Sequence, residues 1–168
     1  MKIKNRHFMK SGDIKKLQFD LQKFFPNSNN LFGKGSRVEK GTLDDGTILY
    51  LIDGELIFFE IEKRIIPFLR ILLKNLIQLQ KVTVDLGAVP YVARGAAVMV
   101  PGIVATDEDI KKDDYVVIVD EKHDKPLAIG LALMDANEII KEKKGKAIKT
   151  VHYVGDKWWE FGKNVVGK

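Results

Sequence analysis

The first strong pattern in the 168-residue chain is an apolar stripe at helical spacing near its N-terminus. It predicts a helix over residues 6–25, capped by Ser11 or Asp13. The apolar face comprises Ile14, Leu17, Leu21, Phe24 and Phe25. The glycine-containing stretch 31–46 predicts a loop with a short strand near residues 37–39.

A hairpin and a buried helix are predicted next. The apolar runs TILYLI and ELIFFEI flank Asp53-Gly54, and Asp-Gly between apolar runs favours a hairpin because both turn residues tolerate φ > 0. Pro67 suits the first turn of a helix. The apolar face after it predicts a largely buried helix and comprises Phe68, Leu69, Leu72, Leu73, Leu76 and Leu79.

Beyond residue 80 the pattern changes to short strands joined by tight turns. Strands are predicted at the alternating VTVD and at PLAIGLALM, buried strands at AVMV and YVVIV, and the last two strands at AIKTVHYV and KWWEFG. Strand alternation in KWWEFG favours Trp158 as core and Trp159 as partly exposed. Short helices are predicted over residues 87–94 and, capped by Asp135, over residues 136–143.

These elements predict an α+β fold with two domains. Residues 1–80 form a small α/β domain, and residues 81–168 form a barrel-like domain of mixed strands with short helices.

Composition excludes several classes of site. The chain has no cysteine, so disulfides and thiolate metal sites are impossible. The basic N-terminus lacks the apolar run of a signal peptide, and the apolar stretch 65–79 is too short and too charged to span a bilayer. We expect a cytoplasmic protein with no membrane partner.

Charge is segregated along the chain. Residues 1–40 carry ten Lys/Arg against three acids, residues 81–140 six against eleven, and residues 141–168 eight against three. Basic ends that flank an acidic middle favour a polyanionic partner. The alternative is a lysine-rich solvated surface.

The sequence offers no positive case for an enzyme, a metal or a cofactor. The stretch Gly33–Ser36 lacks the spacing of a phosphate-binding loop. His7, His123 and His152 lie far apart and have no local partner at ligand spacing. The carboxylates of residues 107–114 lack apolar neighbours to bury them, so they predict a solvated turn.

The most distinctive stretch is DLGAVPYVARGAAVMVPGIV, residues 85–104. Arg94, Gly95, Ala96 and Ala97 form a corner of small residues, at which glycine permits φ > 0 and close approach of another backbone. By local chemistry this corner is either a tight turn or a surface that reads a ligand through backbone groups.

Nearly all of residues 81–161 resemble the PUA domain, which is named for pseudouridine synthase and archaeosine transglycosylase. The resemblance rests on VDLGAVPYVARGAAVMVPGIV, YVVIVD, PLAIGLALMDANEI and KGKAIKTVHYVGDKWWEF. KNRHFMKSGDIKKL, LIDGELIFFE and PFLRILLK resemble the pre-PUA domain of a translation-associated family. That family includes the partner of density-regulated protein and the amino-terminal part of ligatin, and this chain looks like a short archaeal relative.

The resemblance implies a non-catalytic RNA-binding protein that binds tRNA or small-subunit ribosomal RNA in translation initiation or recycling. Its implied partners are RNA, the small ribosomal subunit and an initiation-factor-like protein. Two alternatives remain: an adaptor that docks a protein through its first domain, and an accessory RNA-binding subunit of a tRNA- or rRNA-modifying enzyme.

The resemblance also implies a groove between the first helix and second strand of the PUA domain. The corresponding residues are Gly87, Ala88, Val92, Arg94, Gly95, Ala96, Ala97, Met99, Pro101 and Gly102. The groove carries one cation, so phosphate contacts would draw on Lys143, Lys144, Lys146 and Lys149, with Trp159 as a stacking candidate. A second basic patch would comprise Lys4, Arg6, Lys10, Lys15 and Lys16. Each lysine group is equally explained as a solvated surface. We expect Gly95→Asp to abolish RNA binding while the fold is kept.

Overall fold

The computed structural model describes residues 1–165, and contacts divide the chain into two compact units. Unit 1 comprises Met1–Gln78 and the segment that begins at Glu160, and unit 2 comprises Leu79–Trp159. Each unit has its own β-sheet and short helices, which confirms the predicted α+β class. In the part of the chain described, no helix combines the length and apolarity needed to cross a bilayer.

Unit 1 is built on a five-stranded antiparallel sheet. Its strands are β1 (Ile3–Phe8), β2 (Val38–Leu43), β3 (Ile48–Ile52), β4 (Glu55–Ile61) and β5 (Arg64–Pro67), in spatial order β1-β2-β3-β4-β5. The predicted hairpin joins β3 to β4, and its turn residues Asp53 and Gly54 have φ of 51° and 84°. Leu49 and Phe59 lie opposite each other in this hairpin and are fully buried. β2 extends the short strand predicted near residues 37–39.

Helix α1 (Ser11–Gln22) is shorter than the helix predicted over residues 6–25. The residues before it form β1, because they pair with β2 at the edge of the sheet. The N-cap residue is Lys10, and no side chain caps the helix, so the predicted caps Ser11 and Asp13 are wrong.

The predicted apolar face of α1 divides into a buried and an exposed part. Leu17, Leu21 and Phe25 are buried and Ile14 is half-buried, whereas Phe24, beyond the end of the helix, is 56% exposed. Three of the five predicted core residues therefore reach the core of unit 1.

The short helix α2 (Leu69–Leu73) replaces the long helix that was predicted to start at Pro67. Pro67 ends β5 instead of starting the helix, and Phe68 takes the N-cap position. The chain leaves helical geometry at Asn75, whose φ is 55°. Leu76 is consequently 39% exposed, although the helical pattern predicts it buried.

Unit 2 contains a six-stranded mixed sheet that is nearly barrel-shaped, as predicted. Its strands are β6 (Gln80–Val84), β7 (Val98–Met99), β8 (Ile103–Thr106), β9 (Tyr115–Asp120), β10 (Pro126–Ala132) and β11 (Lys146–Tyr153), in spatial order β7-β11-β10-β9-β6-β8. β6 and β9 run parallel, and the other pairs are antiparallel. Small and branched side chains fill the interior, including the fully buried Val82, Val116, Ile118 and Ile148.

Three helices complete the fold: α3 (Val89–Val92), α4 (Ala136–Lys141) and α5 (Lys157–Val165). The prediction that KWWEFG forms a strand is wrong, because Asp156 accepts a hydrogen bond from the Trp159 N–H at 2.7 Å and starts a helix there. Trp158 is buried and Trp159 is half-buried, as predicted, although helical packing rather than strand alternation separates them.

Helix α4 ends two residues earlier than predicted. Asp135 takes the N-cap position as predicted, but its side chain does not cap the helix. Its Oδ1 instead accepts a hydrogen bond from the Lys112 N–H at 2.8 Å. Asp135 therefore ties the start of α4 to the charged turn before β9.

Candidate nucleic-acid interface

The corner Arg94–Ala97 follows directly from the end of α3. The Gly95 N–H donates to Val92 O at 3.0 Å, and the Ala96 N–H donates to Tyr91 O at 3.0 Å. Gly95 has φ of 84°, in the left-handed region that favours glycine. These bonds close the helix and turn the chain toward β7.

Strand β11 fixes the corner from the other side. The Thr150 hydroxyl donates to Ala96 O at 2.8 Å. A Cβ added at Gly95 would stand 2.6 Å from Cε1 of Tyr153. We therefore expect Gly95→Asp to strain the corner, because any side chain there meets both an unfavourable φ and the tyrosine ring.

Met99 and Lys146 extend the surface beyond the corner. They are directly opposite each other in the β7–β11 pair, and opposite residues of an antiparallel pair share one face. Both are exposed, Met99 to 45%. Burial of Met99, as predicted for AVMV, is therefore wrong, and the two-residue strand explains why.

Gly102 lies against the residues that precede α3. Its carbonyl accepts the Asp85 N–H at 2.9 Å, and a Cβ added there would stand 3.1 Å from that of Ala88. Asp85 Oδ1 in turn accepts the Ala88 N–H at 2.8 Å. Gly87 and Pro101 are exposed beside this contact. The fold thus brings the glycine, alanine and proline positions of the predicted groove to the ends of α3 and β7.

Val92 does not belong to the exposed surface. Its side chain is 1% exposed and packs in the core of unit 2. It anchors α3 from inside, so its predicted role as a groove contact is corrected to a structural one.

The predicted lysines are exposed but lie at different places. Lys146 adjoins Met99, whereas Lys149 lies opposite Leu131 on β10. Lys143 and Lys144 lie in the turn before Gly145, whose carbonyl accepts the Val100 N–H at 2.9 Å. Strand pairing thus sets Lys146 opposite Met99, whereas Lys149 directly precedes Thr150, whose hydroxyl holds Ala96 of the corner. Trp159 lies in the first turn of α5, half-buried.

Tyr91 is a surface residue that the sequence pattern did not single out. It lies on α3, and 63% of its surface is exposed. Its carbonyl also holds Ala96 in the corner. The sequence signal that could have identified Tyr91 is an aromatic residue between Pro90 and Val92, in a helix too short for both of its faces to be buried.

His152 and Asp156 form a buried pair at the end of β11. His152 Nδ1 lies 2.7 Å from Asp156 Oδ2, and both side chains are shielded from solvent. Burial opposes the charge of Asp156, but hydrogen bonds from His152 and from the Trp159 and Tyr153 N–H groups outweigh it and hold the pKa of Asp156 below its ordinary value. Asp156 thereby joins the end of β11 to the start of α5.

The second basic patch of the sequence is divided in the structure. Arg6 forms an ion pair with Glu39, in which Nε and Nη2 donate at 2.6 and 3.0 Å. This pair lowers the pKa of Glu39 and raises that of Arg6. Lys4 is exposed on β1, and the remaining exposed members, Lys10, Lys15 and Lys16, lie at and after the start of α1. Arg6 is therefore not a free cation of this patch.

Within the described residues, no cluster of histidine and carboxylate side chains is suited to hold a metal ion. The carboxylates of residues 107–114 instead accept backbone hydrogen bonds. Asp107 Oδ2 accepts the Lys81 N–H at 2.7 Å and ties the end of β8 to β6, and Asp114 Oδ2 accepts the Lys111 N–H at 2.9 Å in the turn before β9.

Comparison with known proteins finds a matching family model for each of the two parts of the chain. The PUA domain model matches residues 80–154, and the Pre-PUA-like domain model matches residues 1–75. The chain is 45% identical to an uncharacterized protein of Methanocaldococcus jannaschii, over 96% of this chain and 99% of that one. It is 35% identical to translation machinery-associated protein 20 of Schizosaccharomyces pombe, over 94% and 92% of the two chains.

Among solved structures, a hypothetical protein from Pyrococcus horikoshii matches with a TM-score of 0.79 and 33% identity, over 94% of this chain and 99% of that one. Sequence and structure thus agree over nearly the whole length of these relatives. The chain belongs to the translation-associated family of proteins that join a Pre-PUA-like domain to a PUA domain.

Proposed function

We propose that this protein is a non-catalytic, cytoplasmic RNA-binding protein of translation, with domains over residues 1–80 and 81–168. Its ligand is tRNA or small-subunit ribosomal RNA, in initiation or recycling. Both domain models and the likeness to a translation machinery-associated protein support this class. The surface that binds RNA is the corner Arg94–Ala97 with Tyr91, Met99 and Lys146.

The observation that carries the proposal is the fixed geometry of the corner. Gly95 lies against Tyr153, and the Thr150 hydroxyl holds Ala96. The corner is therefore set before a ligand arrives, and Arg94 and Ala96 are exposed there. A preorganised backbone surface lowers the entropy cost of binding.

Charge alone does not explain binding at the corner. Arg94 is the only cation of residues 82–110, and residues 81–140 carry five more acids than bases. The corner thus recognises the shape of the RNA backbone, and Lys146 supplies a phosphate contact beside it.

Ala96→Asp tests this surface without changing a positive-φ position. A carboxylate there would repel phosphate, so we expect tRNA affinity to fall at least about tenfold at low salt, which corresponds to ~1.4 kcal/mol. Filter binding with tRNA and with small ribosomal subunits measures it. Ala105→Asp, at an exposed alanine of β8, is the matched control and should bind normally. Equal binding by both variants would remove the corner from the proposal.

A second candidate, the protein-docking adaptor, is favoured by exposed aromatic side chains of unit 1. Phe19 is 65% exposed and Phe24 is 56% exposed, and aromatic side chains are enriched in protein–protein interfaces relative to the rest of the surface. A pull-down of an initiation-factor-like protein from RNase-treated lysate tests it, because a direct protein contact survives RNase.

The third hypothesis, an accessory subunit of a modification enzyme, stays a prediction. Measuring tRNA and rRNA modification levels after gene deletion would test it.

A further inference from the structure

Phe8 and Arg37 form an exposed aromatic–cation pair at the edge of the unit 1 sheet. Phe8 ends the edge strand β1 and is 60% exposed. The guanidinium carbon of Arg37 lies 5.9 Å from the centroid of the Phe8 ring, within the range of a cation–π contact. We propose that this pair is a platform on which a base of single-stranded RNA stacks, and this inference rests on the RNA-binding function proposed above.

Backbone contacts hold the arginine in place. The Arg37 N–H donates to Asp53 Oδ1 at 2.8 Å, and the Asp53 N–H donates to Arg37 O at 2.8 Å. Asp53 itself is fixed in the turn of the β3–β4 hairpin. The Arg37 backbone is therefore fixed directly before β2, and on this side of the platform only the side chain remains to be ordered by a ligand.

The positive charge of Arg37 is available to a ligand. Throughout residues 1–165, the ion pairs found do not include Arg37. The nearby Glu39 carboxylate, whose pKa Arg37 also lowers, already accepts two hydrogen bonds from Arg6. Arg37 thus retains its guanidinium donors for a phosphate, while the Phe8 ring presents an apolar face.

A second aromatic–cation pair in unit 1 shows the contrast. Lys23 Nζ lies 4.8 Å from the centroid of Phe19, but the same ammonium lies 3.7 Å from Asp20 Oδ1. That pair is equally exposed but locally neutral, so it lacks the charge that attracts a polyanion.

Charge around the platform favours RNA as the occupant. Exposed Lys10 follows Phe8 by two residues, and exposed Lys4 precedes it by four, roughly 13 Å along an extended strand. Residues 1–40 carry ten Lys/Arg against three acids. Aromatic rings that stack bases, flanked by cations along a backbone path, are how proteins bind single strands without sequence preference.

Phe8→Ala in the full chain tests the platform. The probe is a fluorescein-labelled, unpaired RNA of about 12 nucleotides, and fluorescence anisotropy measures affinity at about 50 mM salt. We expect affinity to fall at least about fivefold, as loss of one stacked base does. Phe8→Trp should retain binding and show fluorescence quenching by RNA beyond that of the wild-type protein.

Phe19→Ala is the matched control, since it removes an aromatic residue of similar exposure beside a neutralised cation. It should bind within about twofold of wild type. Unchanged affinity of Phe8→Ala, or an equal loss in both variants, overturns the platform. If Phe8→Ala leaves the affinity for RNA unchanged but disrupts self-association or the binding of a purified acidic protein, the Phe8–Arg37 pair is a protein-binding site instead.

Ala96→Asp, measured beside Phe8→Ala on tRNA and on the single strand, separates this inference from the proposed function. If only Ala96→Asp loses affinity, the corner stands and the platform fails. If only Phe8→Ala loses affinity, the platform stands and the corner fails. Wild-type affinity in both variants overturns both.

Discussion

Asp156 shows how one residue joins the end of a strand, β11, to the first turn of a helix, α5. Its Oδ1 accepts the Trp159 N–H at 2.7 Å, and its Oδ2 accepts the Tyr153 N–H at 3.0 Å and lies 2.7 Å from His152 Nδ1. These contacts favour the ionised carboxylate and lower its pKa against the effect of burial. The charge on Asp156 therefore stabilises the folded chain.

Asp156→Asn should destabilise the protein by about 2 kcal/mol at pH 7, because the hydrogen bonds lose their charged acceptor. The pKa of Asp156 in the folded state lies below its unfolded value of about 3.9. The stabilising contribution is thus complete above that pH and is lost as the pH falls through the folded-state pKa. Urea unfolding at pH 7 and at successive values below about pH 4 should show the two proteins converging.

Asp124→Asn is a suitable control for this measurement. Asp124 pairs with Lys81 at 2.7 Å, but its side chain is 63% exposed, so the substitution should change stability by less than about 1 kcal/mol at any pH. A constant gap between wild type and Asp156→Asn down to acid pH would show that the charge of Asp156 contributes nothing.

At the level of single residues, the sequence identifies positions better than partners. Gly95 stands out because glycine beside alanine marks a turn, and its φ of 84° agrees. The local sequence pattern could not predict the contact of Gly95 with Tyr153, because the pairing of β7 with β11 brings Tyr153 to the corner. The burial of Val92 was also missed, because a helix of four residues does not reveal from its sequence which face is buried.

At the level of elements, strong local signals were reliable and ambiguous ones were not. The hairpin at Asp53-Gly54 has its own turn chemistry. KWWEFG has no such signal, since its aromatic residues favour a strand by propensity while Asp156 starts a helix. Edge strand β1 was hidden in a helical pattern, because pairing with β2 determines its conformation.

Gly162 explains how α5 packs within unit 1. A Cβ added there would overlap the ring of Phe68. A glycine inside a helix normally costs ~1 kcal/mol relative to alanine, so its presence here reflects close approach of the helix to that ring. The small residue is a packing requirement of the element rather than a site of flexibility.

Gly162→Ala should therefore lower the free energy of unfolding by about 1–3 kcal/mol, the cost of overpacking a filled site. Gly12→Ala in α1 is the matched control, because nothing lies within 4 Å of an added Cβ there. It should raise stability by up to about 1 kcal/mol. Thermal and urea unfolding measure both changes. A stabilising effect of Gly162→Ala would contradict close packing of α5 on Phe68.

At the scale of the whole molecule, the α+β architecture could be predicted because each unit has its own local pattern of strands and turns. The change in pattern near residue 80 predicts a domain boundary there, and the two family models match residues 1–75 and 80–154. The order of strands in unit 2, with β6 parallel to β9, depends on long-range pairing that periodicity does not encode. The charge map, in contrast, follows from the sequence alone.

That charge map makes a prediction about the salt dependence of RNA binding. Lys146 lies beside Met99 at the corner, whereas residues 81–140 carry eleven acids against six bases. If Lys146 contacts a phosphate, Lys146→Ala should reduce the steepness of log affinity against log salt by about 0.7–0.9. Affinity for tRNA measured across a range of salt concentrations gives this slope.

The matched control is Lys112→Ala, an exposed lysine in the charged turn before β9. Its slope should equal that of the wild-type protein, because no element places Lys112 with the corner residues. Lys149→Ala tests whether the phosphate contact extends along β11, since Lys149 directly precedes Thr150, whose hydroxyl holds Ala96. Equal changes for Lys146, Lys149 and Lys112 would indicate general attraction to a basic protein rather than a phosphate held at the corner.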